Sequence, residues 1–158
     1  MVVRTLLAAA RQRPGLDDRR CLLVLDLIQT GIAVRTALRR SLAEEGLSEL
    51  KFALLVVLFA IDPEPATPAD LADRIGVSRA AITEALDGLE KIALIGRTRD
   101  TADRRVIDVR LTPKGQGLAD AALQRFLRTA GRVARFISLS ELPSISDIGA
   151  RLRSGATK

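Results

Sequence analysis

The sequence predicts a mainly α chain with one small β-hairpin, and three observations carry that prediction. Apolar residues recur at helical spacing over most of the 158 residues. Two short segments in the middle begin with helix-capping residues. A single stretch after them alternates apolar and polar residues around a polar turn. Two short helices followed by a hairpin make a winged helix-turn-helix, set here between longer helices.

From the start of the chain, Arg4 to Arg13 has the pattern of a short amphipathic helix that Pro14-Gly15 breaks. Asp17 is placed to cap a long helix running to about Ala43. It is apolar nearly all round over Leu22 to Ile28 and narrows to Ile32, Leu38 and Leu42. All-round hydrophobicity at the edge of a chain calls for a cover, and a second subunit is the simplest one. Leu47 to Ile61 forms the next helix, and Asp62-Pro63-Glu64-Pro65 the turn after it. Thr67 then serves as N-cap, with Pro68 at the first helical position and Asp70 placed to close a capping box; Gly76 ends this helix. Ser78 caps the next, which points Ile82, Leu86 and Leu89 inward and leaves Arg79, Ala80, Thr83 and Glu84 outward.

Ile95 to Arg99 and Arg105 to Leu111 form the hairpin around Asp100-Thr101-Ala102-Asp103, with Arg97, Arg99, Arg104 and Arg105 on or beside its tip. Pro113 to about Ile137 makes a long helix. A last short one begins at Ser144, capped toward Asp147, and contains Ile145, Ile148 and Leu152. There are no internal repeats.

Composition narrows the function classes. An apolar content of 47% argues against disorder. The 25 basic and 19 acidic residues leave +6, a charge that favours polyanions without choosing among DNA, RNA and an anionic membrane. The longest strongly apolar run, Phe52 to Ile61, falls short of the roughly twenty residues a spanning helix needs, so no membrane is expected. Leu6 to Ala10 is shorter than a secretory core of about 7–15 residues, and the expected location is the cytoplasm. With no histidine and the single cysteine Cys21, neither a zinc site nor an intramolecular disulfide is expected, and no other cofactor. No phosphate-cradling loop, paired carboxylates or cysteine with a base supports an enzyme.

The residues ADLADRIGVSRAAITEALDGLEK, the D-x-x-D-R-R turn of Asp100 to Arg105, and V-x-L-T-P-K-G at Val109 to Gly115 resemble the MarR family of bacterial transcription regulators. The DRR turn leading into L-T-x-x-G is the more particular part, since A-D-L-A-x-x-x-G-V-S suits many helix-turn-helix families. With its flanks the resemblance covers roughly residues 20 to 153. It implies a single MarR-like domain over 1–158, with dimerisation and support helices at 17–61, the winged helix-turn-helix at 62–112 and C-terminal dimerisation helices at 113–158. It further implies a homodimer that binds a palindromic operator on double-stranded DNA as a repressor, released by a small-molecule effector or an oxidant. The DNA-binding positions are then Ser78, Arg79, Ala80, Thr83 and Glu84 on the recognition helix, and Arg97, Arg99, Arg104 and Arg105 on the wing. The alternative is a winged-helix module for protein binding or architectural DNA binding without a discrete operator. Glu84 leans that way, since a carboxylate facing phosphate is repelled.

Two departures from the family pattern matter. Ala93 stands where members usually have glycine; in a left-handed cap it costs roughly 1–2 kcal/mol, so a different helix ending is expected. Cys21 lies where hydroperoxide-sensing members carry a reactive cysteine, but this chain has no tyrosine or histidine to activate it. A small apolar side chain in the dimer core is the favoured reading there. Arg35 and Arg39, one turn apart, are placed to hold an effector carboxylate beside a mostly aliphatic pocket, or to form a solvated helix face.

Overall fold

The structure is a computed structural model that describes residues 5, 6, 8, 9, 12, 18–99 and 106–156. The segment around Arg4–Arg13 and the turn Asp100–Arg105 therefore lie largely or wholly outside the described residues. Helix α1 spans Asp18–Ala43, α2 Glu49–Ile61, α3 Pro68–Ile75 and α4 Arg79–Lys91; strands β1 (Ile95–Arg99) and β2 (Ile107–Leu111) follow, then α5 (Pro113–Val133) and α6 (Leu142–Ala156).

Local chemistry sets most boundaries. Ser48 caps α2 by accepting from the Lys51 N–H. At α3 the capping box is complete: the Asp70 N–H donates to Thr67 Oγ1 at 3.1 Å, and the Thr67 N–H donates back to Asp70 Oδ2 at 3.2 Å. Gly76 ends that helix at φ 76°, a left-handed conformation glycine adopts without strain. Helix α6 starts two residues before the expected Ser144. Ahead of it the Glu141 carboxylate accepts from both the backbone and the hydroxyl of Ser138, and the Glu141 carbonyl takes the Ile145 N–H. Pro143 sits in its first turn, where a missing N–H is harmless.

The core lies under the winged module. Leu54, Leu55 and Leu58 from α2 meet Leu71 from α3, Ile82, Leu86 and Leu89 from α4, Leu94, and Val109 from β2. Ala119 and Ala122 close it from α5. The hairpin is antiparallel, pairing Ile95 with Leu111, Arg97 with Val109 and Arg99 with Ile107. Ala66 adds a short third edge, exchanging two backbone hydrogen bonds with Val109.

The long helices pack differently. Helix α1 contacts α2 and α5 but leaves Leu23, Val24, Leu27 and Ile28 between 40% and 51% exposed. Helix α6 buries none of its residues, and Phe136 and Leu139 ahead of it are more than four-fifths exposed. The stretch Arg19–Ala43 is long and apolar enough, by length and composition alone, to cross a membrane. That differs from the expectation set by the run Phe52–Ile61. Isolated polar residues such as Asp26 and Gln29 interrupt α1 without offsetting its apolar average.

Candidate nucleic-acid interface

Helix α4 presents two faces of opposite character. Ile82, Leu86 and Leu89 are wholly buried, while Ser78, Arg79, Ala80, Thr83 and Glu84 are exposed around its N-terminal half. Ser78 accepts from the Ala81 N–H at 3.3 Å and caps the helix, so its hydroxyl is engaged with the backbone. The Thr83 hydroxyl donates to the Arg79 carbonyl at 3.0 Å, the i−4 bond available to threonine within a helix. Thr83 keeps its oxygen as an acceptor and its methyl as an apolar contact. The helix N-terminus contributes partial positive charge at this end.

The other end of α4 is held by an unexpected clamp. Ala93 takes φ 58°, so the different ending expected for alanine does not occur. The reason is the set of bonds that this conformation permits. The Leu94 N–H donates to the Leu89 carbonyl at 3.0 Å and the Ala93 N–H to Glu90 at 2.8 Å, the pair of bonds of a Schellman cap. Leu89 and Leu94 are both buried beneath it. The start of α5 then grips the same turn: Thr112 Oγ1 donates to the Ala93 carbonyl at 2.8 Å, and Lys114 Nζ to the Ile92 carbonyl at 2.9 Å. At Gly115 a Cβ would stand 1.9 Å from the Leu94 carbonyl oxygen, so only glycine fits. The T-P-K-G motif thus works as a joint between α4 and α5. In the sequence alone this motif is legible only as a family signature.

The wing arginines are not equivalent. Arg99 is exposed at the end of β1, with no ion pair among the described residues. Arg97 differs from the expected position at the tip. It lies mid-strand opposite Val109, and its guanidinium Nη1 reaches Asp87 at 2.7 Å and Glu90 at 3.3 Å on α4. Period-two geometry explains the difference, since Arg97 shares the inward face of the hairpin with the buried Ile95 and Val109. Arg104 and Arg105 lie outside the described residues.

On the other side of α2, Arg35 and Arg39 do not stand as a free anion clamp. Arg35 donates from Nε and Nη2 to the two carboxylate oxygens of Glu49 at 3.0 and 2.7 Å, and Arg39 lies 3.9 Å from the same group. The Arg35 hydrogen bond holds the Glu49 carboxyl below its ordinary pKa, and the pairing raises that of Arg35. These three residues help line a cavity of about 480 Å³ that also meets Leu38, Phe52 and Phe126. The two rings sit 5.0 Å apart, so the expected aliphatic pocket is partly aromatic. Cys21 is exposed on α1.

This arrangement of capped helices, hairpin and flanking helices matches known proteins. The MarR family model matches residues 47–107. A MarR family domain is thus matched over the winged part of the chain. Among the relatives of this chain, the HTH-type transcriptional repressor YetL of Bacillus subtilis is 35% identical over 105 residues, 66% of this chain and 60% of YetL. The chain thus spans less than two thirds of that relative. The repressor MdtR of the same organism is 34% identical over 88 residues, 56% of this chain and 57% of MdtR. In three dimensions the YusO protein of B. subtilis superposes with a TM-score of 0.72 at 26% identity, covering 89% of this chain and 98% of YusO. Apo MarR from E. coli gives 0.67 at 19% identity over 80% and 94%, a likeness of fold alone.

Proposed function

We propose that this chain is a dimeric, sequence-specific DNA-binding transcriptional repressor of the MarR type, acting in the cytoplasm on a palindromic operator. The observation that carries this reading is α4. One face is wholly buried, and the opposite face offers Arg79, Ala80, Thr83 and Glu84 at the end carrying the helix's positive pole. A helix presented in this way enters the major groove by its N-terminal residues. Arg79 is the residue to read a guanine through its two-pronged guanidinium. The Thr83 methyl suits a thymine methyl, and Glu84 a cytosine amine. Arg99 supplies wing charge for the adjoining backbone or minor groove, with Arg104 and Arg105 expected from the sequence to join it.

Pairing follows from the exposed apolar faces. Segments 17–61 and 113–158 supply the dimerisation surfaces, and the winged module at 62–112 the DNA contacts. Leu23, Val24, Leu27 and Ile28 on α1, with the unburied α6, call for a cover that the protomer does not provide. A second subunit fits better than a bilayer. Asp26 and Arg35 both lie within about five residues of the middle of the same α1 stretch, and a charged residue at the centre of a spanning helix costs roughly 2.5–3.5 kcal/mol. Two recognition helices about 34 Å apart would enter successive major grooves, and linkage raises affinity through effective concentration. An effector entering the cavity beside Phe52 and Phe126 would push α1 away from α2 and α5, changing the spacing between modules.

The test is selection of bound fragments from random genomic DNA, with sedimentation of the free protein at micromolar concentration. A repressor enriches one palindrome and sediments as a dimer. Uniform recovery of fragments favours the protein-binding or architectural reading, to which the exposed Glu84 points. A stable folded monomer removes the palindrome argument.

A further inference from the structure

Arg97 and the two carboxylates that hold it go beyond the DNA contacts just described, although their role rests on that reading of α4 and the wing. Asp87 and Glu90 lie three residues apart on α4, on adjoining positions of one helix face. Asp87 continues the line of Ala80, Thr83 and Glu84 by one further turn. Left bare, it would add negative charge beside the phosphates that α4 must approach. Arg97 crosses from the middle of β1 and places one Nη atom within 2.7 Å of Asp87 and 3.3 Å of Glu90. Its side chain is only 23% exposed, and its Nε is buried without a hydrogen-bond partner. A guanidinium enclosed in this way is held by its carboxylates and has little freedom to turn toward a duplex.

We propose that Arg97 is a positioning residue: it locks the wing to the recognition helix and screens Asp87 and Glu90 from DNA, and it does not itself bind phosphate. A two-point reader needs this kind of lock. The wing and α4 gain from each other only if the distance between them is set before binding, because ordering them on the DNA would consume part of the binding free energy.

The experiment compares Arg97→Gln, Arg99→Gln and the double variant Asp87→Asn/Glu90→Gln with the wild-type protein. Affinity is measured on the selected operator and on random DNA over a range of salt. Arg97→Gln should weaken operator binding about tenfold, within the range of coupled charge networks, and weaken random-DNA binding by a smaller factor through the two carboxylates it uncovers. Its slope of log affinity against log salt should stay at the wild-type value. Arg99→Gln should instead reduce the slope by about 0.9 per subunit, as loss of one phosphate contact does. Asp87→Asn/Glu90→Gln keeps the arginine and removes its anchors, and should lose operator binding as Arg97→Gln does. Tighter binding by that double variant, or a reduced salt slope in Arg97→Gln, would make Arg97 a phosphate ligand and overturn the proposal. Equal losses on operator and random DNA, tracking a lowered melting temperature, would overturn it in favour of a purely structural role. If wild type selects no operator, the DNA reading fails on its own. The lock is then judged by hydrogen exchange in the free protein: faster exchange of hairpin amides in Arg97→Gln supports it, and unchanged exchange refutes it.

Discussion

Replacing Ala93 with glycine should stabilise this protein, against the usual expectation for an added glycine. Ala93 is held at φ 58°, where a Cβ crowds the following carbonyl and costs an L-residue about 1–2 kcal/mol. Glycine removes that strain but adds freedom to the unfolded chain, worth about 0.4–1 kcal/mol in the opposite direction. The side chain is exposed, so no packing is lost. The bonds that residue 93 itself makes use only its backbone atoms and survive: its N–H to Glu90 and its carbonyl from Thr112. The net gain is about 0.5–1 kcal/mol, with a rise in melting temperature of about 1–4 °C for a chain of this size. Urea unfolding at fixed protein concentration measures it, because assembly makes stability depend on concentration. Ala93→Val is the control, since a β-branched side chain tolerates positive φ worse than alanine and should destabilise. A lower midpoint for Ala93→Gly, or an unchanged one for Ala93→Val, would show that the turn is not strained.

Three further outcomes follow from the same geometry. Gly115→Ala should destabilise by about 2–3 kcal/mol or more, because its Cβ meets the Leu94 carbonyl at 1.9 Å and α5 must shift away from the end of α4; equilibrium unfolding reads this directly. Asp70 is held below its ordinary pKa of 3.8, first by the Thr67 hydroxyl and then by the Thr67 N–H. Its folded form therefore binds protons less readily than its unfolded form. The contribution is complete above pH 3.8 and is lost as pH falls through the lower folded value, so Asp70→Asn should flatten stability against pH in that acid window. Arg79→Ala should cost about 1–3 kcal/mol per half-site on the selected operator and much less on random DNA. Titrations on both DNAs check it, and equal losses would mean a phosphate contact.

The parts of the fold legible in the sequence are those governed by neighbours along the chain. Thr67, Pro68 and Asp70 cap a helix using atoms within three residues, and Gly76 ends it by its own backbone freedom. Ile82, Leu86 and Leu89 declare a buried face by spacing alone, because helical period fixes which side chains share a side. From that face the outward set at Arg79, Ala80, Thr83 and Glu84 follows directly. The segment Leu22 to Ile28 likewise reads as apolar nearly all round, and in the protomer Leu23, Val24, Leu27 and Ile28 are exposed while Leu22 and Leu25 are half-buried.

Only the tertiary structure decided which charges are free. Arg97 and Arg99 read alike as basic residues of one strand. Yet Arg97 meets Asp87 and Glu90 across the turn that folds the hairpin back onto α4, while Arg99, two residues further along β1, is exposed with no ion pair among the described residues. Arg35 and Arg39 had the spacing of an anion clamp, but the packing of α1 against α2 brings Glu49 between them. The turn at Ala93 was also settled at a distance. Its strain is local and visible in the residue type, but the bonds from Thr112 and Lys114 arrive from about twenty residues away. Ion pairs and carbonyl acceptors that join separate elements depend on how those elements dock. No periodicity along the chain encodes that docking.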